Sequence, residues 1–335
     1  MRHLFRRISR IKLAYASRLL LYSFFIPFFL IWLLSQLFGE WIWPLDTIGQ
    51  FQFQMALGFL FFAIIFHLAA RRTGMHLATI SLIVIFLNIL PLYQKPPAPI
   101  CTTACKAEPL RIVQYNVFYE NHNLDGVLKW AAGDKDVDIM IFHEIPRQWQ
   151  RPLRKLKAQY PYNFITTDAN PYDMAVFSRI PLSQRESWGG DKDRNVAIRV
   201  HGVTPKENIP FQIYAVHVAS PVSLTAWKRR NSALRFHGWQ LRDFAQANQI
   251  MVGDLNTTRF SAWWRRLQRV SGLKDAQEGF GLMPTWSFFE ETNRLNGIQI
   301  DHMLVSPGIY VEQRKTLADY GSDHLPVYTK MWLYK

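Results

Sequence analysis

Asp254 and Asn256 stand two residues apart in "IMVGDLN", where an apolar run gives way to polar turn formers. A carboxylate able to take a proton and an amide able to donate a hydrogen bond, separated by one residue at a strand end, can face a single cavity. The same habit recurs along the chain. Asn116 lies in "VQYNVF", Glu144 closes "IMIFHE", His217 sits near the end of "IYAVHV", Asp301 opens "IDHMLV", and Asp323 and His324 lie in "GSDHLPV". Acids, amides and imidazoles gathered at one sheet edge carry a desolvation cost that pairing or a cation offsets. Each residue alone has a plainer reading: a turn for Asp254 and Asn256, an edge amide for Asn116, a satisfied core histidine for His217. It is the joint placement at strand ends that points to chemistry.

The elements that must position these groups are short. From Leu110 onward "RIVQYNVF", "DIMIFHEI", "MAVFSR", "VAIRVHG", "FQIYAVHV", "QIMVGDLN", "DHMLVS" and "PVYTKMWLY" have strand length and are rich in Val, Ile and aromatics. Between "HVASP" and "QIMVGDLN", Leu224, Trp227, Leu234, Leu241 and Phe244 recur at helical spacing, which predicts a helix with one buried face. "VLKWAA" and "SAWWRRLQRV" read as further helices, the second capped by Ser261. Strands outnumber helices, so the expected α/β fold is two packed sheets.

Ahead of this lies a different kind of chain. No charge occurs between Arg18 and Glu40, between Asp46 and Arg71, or between Arg72 and Lys95. About 20 apolar residues in a helix cross a hydrocarbon core, so three membrane spans are expected, at about 19–38, 51–70 and 75–93. The first run exceeds a secretory h-region and lacks a small-x-small cleavage site, so it reads as a retained span. Arg2, Arg6, Arg7, Arg10, Lys12 and Arg18 precede the first span and Arg71 and Arg72 separate the second from the third, whereas the intervening loop carries only Glu40 and Asp46. Basic loops stay cytoplasmic. Everything past the third span is then expected on the far side, periplasmic or extracellular for a bacterial plasma membrane. The organisation expected is a membrane region at 1–94, a Pro/Cys tether at 95–107 and a catalytic domain at 108–335. Cys101 and Cys105 fall in the tether, where on an oxidising side they close a small disulfide loop or pair between chains.

In order, "RIVQYNV", "DIMIFHE", "HVASP", "GDLN", "IDHMLVS" and "GSDHLPV" resemble the successive motifs of the endonuclease/exonuclease/phosphatase superfamily, over about residues 108–335. The resemblance implies a four-layer sandwich, two packed β-sheets flanked by helices, with a site at one edge that holds Mg²⁺ or Mn²⁺. It implies Glu144 as the principal metal ligand with Asn116 and Asp323, and Asp254 as base toward the attacking water. It further implies Asn256 as donor to a phosphoryl oxygen, His217 against the phosphate, and His324 oriented by Asp301. Trp286, in "MPTWSF", resembles an aromatic near the family's substrate and could stack on it. His143 stands where many members have Gln, and His302 follows Asp301 where nuclease-type members often have an aromatic.

The expected activity is metal-dependent phosphodiester hydrolysis, most simply by a nuclease. After residue 100 the chain holds 30 basic and 23 acidic residues, a balance of +7 that suits a polyanion. A phospholipid or sphingomyelin phosphodiesterase is the alternative, favoured by the membrane spans and the "IDH" triplet. No long basic-aromatic run separates the two. A catalytically silent scaffold is disfavoured, because the motif residues are all retained.

Overall fold

The computed structural model describes residues 2–99, 106–167, 171–190, 195–288 and 295–335. Cys101 and Cys105, and with them the disulfide alternatives, lie outside the described residues. The chain forms two compact units that divide between Asn88 and Ile89.

The first unit is helical: α1 (Arg2–Phe38), α2 (Trp43–Gly49), α3 (Gln52–Leu68) and α4 (Arg72–Ile89). Tyr15–Phe38 and Arg72–Tyr93 are long and apolar enough to cross a membrane, and α2 with α3, bent by 74°, makes a third candidate if the pair counts as one span. The second span expected from the sequence, about 51–70, corresponds to α3, which is continuous over Gln52–Leu68 and is preceded at the bend by α2. Pro44 near the start of α2 suits a helix first turn, where a missing N–H costs nothing. Phe25, Phe59 and Phe66 form a buried aromatic cluster. Gln52 turns inward, its Oε1 accepting from Trp32 Nε1 at 3.2 Å and its Nε2 donating to Gly49 O at 2.7 Å. Leu, Ile and Phe dominate the exposed large side chains of this unit.

The second unit contains β1 (Ala107–Asn116), α5 (Leu124–Gly133), β2 (Ile139–Ile145), α6 (Arg147–Leu153), β3 (Tyr162–Ile165), β4 (Asp173–Ser178), β5 (Leu182–Gly190) and β6 (Asn195–Val203). After them come β7 (Pro210–His217), α7 (Leu224–Asp243), β8 (Gln249–Asp254), α8 (Ala262–Ser271), β9 (Lys274–Asp275), β10 (Asp301–Val305), β11 (Tyr310–Thr316) and β12 (Val327–Tyr334). They form two six-stranded sheets, ordered β11-β12-β1-β2-β4-β3 and β5-β6-β7-β8-β10-β9. The only parallel pairs among the named strands are β1 with β2 and β7 with β8, each joined through a helix as parallel neighbours require.

Strand alternation sorts the side chains into layers. Ile112, Ile141, Ile198, Ile213, Val252 and Met303 pack between the sheets, Val113, Met140 and Phe142 pack outward beside α5 and α6, and Tyr214, Met251 and Leu304 pack outward against α7 and α8. The four-layer sandwich follows. Ser223 and Ser261 cap α7 and α8 by accepting from Ala226 N and Trp263 N, both at 3.2 Å. Trp227, Leu234 and Leu241 are buried under α7 as expected, but Leu224 and Phe244 are about half exposed at its two ends. Terminal positions on a helix extend past the sheet that covers its middle.

The folded unit also takes in chain ahead of β1. Leu92 is buried and its carbonyl accepts from Gly281 N at 2.7 Å. Lys95 Nζ donates to Glu312 O at 2.8 Å and lies over the rings of Phe280 and Tyr310 at 5.1 and 5.7 Å.

Candidate active site

The two parallel pairs explain where the polar residues meet. Asn116 and Glu144 lie at the carboxyl ends of β1 and β2, and His217 and Asp254 at the carboxyl ends of β7 and β8. In α/β sheets the carboxyl ends of parallel strands are where ligands bind, and here two such ends face each other across the sandwich. Asn116 spans the gap: its Nδ2 donates to Glu144 Oε1 at 3.1 Å in its own sheet and to Asp254 Oδ2 at 2.9 Å in the other. Its Oδ1 accepts from Phe118 N at 3.0 Å. Asp301 pairs in register with Asp254 across β10 and β8, and His324 lies just ahead of β12, the antiparallel neighbour of β1.

Backbone strain is concentrated here. Phe118, Glu144 and Asn256 have φ of 59°, 55° and 46°, a left-handed region that costs a non-glycine residue roughly 1–3 kcal/mol. At Glu144 the pairing of β2 with β4 slips between Phe142 and Ile145, so a bulge re-aims the side chain that strict alternation would send outward. Asn256 is fixed from three sides: its N–H donates to Asp254 Oδ1 at 2.8 Å, its Nδ2 to Val218 O at 2.9 Å, and its carbonyl accepts from buried Arg230 Nη1 at 3.2 Å.

The imidazoles lie against carboxylates. His217 Nε2 is 3.2 Å from Glu144 Oε1 and 3.8 Å from Asp254 Oδ2. His324 Nδ1 is 2.8 Å from Asp301 Oδ2, and its Nε2 is 3.7 Å from Asp254 Oδ2. Burial alone would make His324 neutral, but the charge of Asp301 and their hydrogen bond push it up to about 10. His217 is also raised, burial being outweighed by its hydrogen bond and charge interaction with Glu144. Burial, with Asp301 nearby, pushes Asp254 up to about 7 against the opposing charge of His324. Burial likewise raises Asp323.

A cavity of about 280 Å³ gathers Glu144, His217, Asp254, Asn256, Trp286, Asp323 and His324 along its walls. Asn116 lies just behind them and Asp301 behind His324. Every site residue singled out in the sequence is therefore at one place. Trp286 is held by its indole, Nε1 donating to Asp323 Oδ2 at 2.9 Å. The other oxygen of Asp323 is buried without a hydrogen bond among the described residues and lies 3.9 Å from His324 Nε2. The carboxylates of Glu144, Asp254 and Asp323 on one cavity wall make a donor set that a hard divalent cation fits. Ligand atoms of Glu144, His217 and Asp254, and of Asp254, Asp301 and His324, converge within 4.8 Å in two overlapping groups.

Some neighbours were not singled out in the sequence. Tyr172 stacks on His217 with centroids 5.8 Å apart, and it lines the cavity with Tyr119 and Phe118. Gln114 Nε2 donates to Asp301 Oδ1 at 2.8 Å, Thr285 Oγ1 accepts from Asp301 N at 3.2 Å, and Arg314 Nη2 donates to Asp301 O at 3.1 Å. Gln114 carried a signal, since a period of two puts it on the same face as Asn116. Tyr172 and Arg314 carried none. Of the two departures from the commonest motifs, His143 is fully buried and pushed down to about 3 by burial, with its ring 6.2 Å from that of His217. His302 turns away, its Nε2 lying 2.8 Å from Thr257 O and its ring packed on Trp264.

Solved structures share this architecture at low sequence identity. An endonuclease/exonuclease/phosphatase family protein from Bacteroides thetaiotaomicron is similar with a TM-score of 0.57 and 14% identity, covering 68% of this chain and 99% of its own. D. rerio TDP2 complexed with a single-strand DNA product gives 0.55 and 16%, covering 67% and 99%. The human Nocturnin catalytic domain with bound sulfate gives 0.54 and 16%, covering 69% and 97%. No curated protein matches the chain in sequence. The family model for the Endonuclease/Exonuclease/phosphatase family matches residues 113–324, a span that holds every site residue from Asn116 to His324, and the chain belongs to that family.

Proposed function

We propose that the chain is a membrane-anchored, divalent-metal-dependent phosphodiesterase that hydrolyses nucleic-acid strands outside the cytoplasm. The observation that carries the reading is the acidic cluster bridged by Asn116 and facing two imidazoles, with Asp323 on the same cavity wall. Glu144 and Asp323, supported by Asn116, hold Mg²⁺ or Mn²⁺. When bound, the cation neutralises the charge that builds on the phosphate oxygens.

The remaining work falls to the protein's own groups. Asp254, raised to about 7, takes a proton from water near neutral pH. Asn256 keeps one amide hydrogen on Val218 O and turns the other toward a phosphoryl oxygen. His324, held charged by Asp301, donates to the phosphate from the side of Asp254, and His217 protonates or stabilises the departing oxygen. Trp286 borders the substrate. The basic balance after residue 100 supports a polyanionic substrate, and D. rerio TDP2, of the same fold, was solved with a single-strand DNA product. With the bent α2–α3 pair counted as one span, three spans with basic residues ahead of the first and between the last two support a cytoplasmic N-terminus.

The test uses the full chain in detergent micelles or nanodiscs. A chromogenic phosphodiester should be cleaved with Mg²⁺ or Mn²⁺, stop with chelator, and not be cleaved by Asp254→Ala. A panel of single-stranded DNA, RNA, sphingomyelin vesicles and inositol phosphates then fixes the class, and a preference for the vesicles establishes the lipid alternative. A reporter fused after Lys335 should be active only outside the cytoplasm.

A further inference from the structure

A second cavity, of about 490 Å³, opens on the outer face of the β5–β8 sheet, between that sheet and the first half of α7. Its walls combine two aromatic rings, Trp188 and Phe236, with two cations, Lys228 and Arg229, and the hydroxyls of Thr225 and Ser232. On α7 these residues recur at three and four, so Thr225, Lys228, Arg229, Ser232 and Phe236 share one exposed face. The interleaving of basic and aromatic side chains that the linear sequence does not display is created by the helix.

The aromatic wall is braced. Arg199 is 3% exposed and lies 4.7 Å from the Trp188 ring and 4.4 Å from that of Phe244, while its guanidinium donates to Glu186 and Gln240 at 3.1 and 2.9 Å. Tyr214 packs on Trp188 at 5.8 Å. At the inner end His237 is 3% exposed, and its Nδ1 is 2.8 Å from the Tyr214 hydroxyl. Its Nε2 has no partner among the described residues. Burial pushes this imidazole down to about 3, so it is neutral. A neutral ring with one nitrogen engaged leaves the other as donor or acceptor according to tautomer, and that nitrogen is buried behind the cavity wall.

The cavity adjoins the catalytic one. Asn195 lines it, and Asn195 Oδ1 accepts at 2.9 Å from Ala219 N, while Ala219 lines the catalytic cavity. Between them, Val196 of β6 pairs with His217 of β7. A strand of substrate leaving His217 past Ala219 therefore meets this cavity next.

We infer that the Trp188–Phe236 cavity is a nucleotide subsite, taking a base and its phosphate from the strand whose neighbouring phosphodiester lies in the catalytic cavity. The inference rests on the nucleic-acid reading above. A base supplies a π-face for the two rings, and the phosphate falls to Lys228 and Arg229 with Thr225 and Ser232. Stacking tolerates any base, so the subsite adds affinity along the strand without reading sequence. A lipid headgroup offers a phosphate to the cations but no planar face to stack on Trp188 and Phe236.

The experiment compares two substrates on the full chain in nanodiscs of zwitterionic lipid. A small chromogenic diester occupies the catalytic cavity alone, whereas oligothymidylate fills both. In Phe236→Ala and in Lys228→Glu/Arg229→Glu the ratio of kcat/KM for oligothymidylate to that for the small diester should fall about tenfold or more. The charge-reversed variant should also lose part of the salt dependence of oligothymidylate binding. Binding is read separately, by anisotropy of labelled oligothymidylate without divalent cation. If the parent cleaves no diester but the variants still weaken binding, the functional reading fails and the subsite stands. An unchanged ratio with unchanged anisotropy overturns the subsite, and so does a loss confined to anionic lipid vesicles.

Discussion

His324 Nδ1 and Asp301 Oδ2 are 2.8 Å apart, and both residues are buried. The carboxylate is fully used, because its other oxygen accepts from Gln114 Nε2 at 2.8 Å. Its charge keeps the imidazole protonated up to about pH 10 where burial alone would strip the proton.

Asp301→Asn removes that charge and keeps the shape. The imidazole then loses its proton at a lower pH, so the alkaline limb of the pH–rate profile on a chromogenic diester should move down. We expect kcat to fall roughly 10²- to 10⁴-fold. An unchanged alkaline limb would exclude the pair from catalysis.

Asn116 bridges Glu144 and Asp254, and hydrogen bonds to a carboxylate favour its charged form. Asn116→Ala should raise the pKa of Asp254 further, so that the acid limb of kcat/KM moves to higher pH. A limb that stays in place would show that the bridge does not tune the base.

Glu144 is aimed by a bulge and a left-handed backbone, so Glu144→Gln should keep the fold while removing the charge. Mn²⁺ affinity, followed by electron paramagnetic resonance without substrate, should weaken about tenfold or more. Retained affinity would place the ion elsewhere.

The strands read from the sequence and those in the structure differ in an orderly way. The eight runs recognised as strands correspond to β1, β2, β4, β6, β7, β8, β10 and β12, which fill the middle of both sheets. The four that escaped, β3, β5, β9 and β11, are the four sheet edges. An edge strand is covered on fewer sides, and "LSQRESWGG" and "YVEQRKT" show the charge that edges carry. The site was legible because its residues lie at the ends of central strands, where a polar side chain interrupts an apolar run. Tyr172 and Arg314 belong to an edge-side loop and an edge strand, where polar and aromatic residues are ordinary, so nothing marked them. The backbone twist at Glu144 is invisible in "FHEI" because its cause is a register slip against β4.

His237 gives a pH dependence of stability. Its folded pKa, about 3, lies below the unfolded value of about 6.5. The unfolded chain therefore binds the extra proton, and stability falls as pH drops from about 6.5 toward 3, by up to about 1.4 kcal/mol per pH unit from this group. His143, also pushed down to about 3, adds to the slope. Asp254 and His324, both raised, act with the opposite sign over this range, so the test is the difference between variant and parent. On going from pH 7 to pH 5 the melting midpoint of His237→Gln should rise relative to that of the parent, and identical pH profiles for the two would contradict the burial of His237.

Leu92 and Lys95 give the folded domain a beginning that comes before the Pro-rich stretch. A fragment excised after residue 95 would carry an open socket at Gly281 and a bare aromatic pair at Phe280 and Tyr310, and emptying the Leu92 site alone is worth about 2–5 kcal/mol by analogy with Leu→Ala changes. Such a fragment would be prone to self-association, whereas one that starts at Ile89 would bring its own plug.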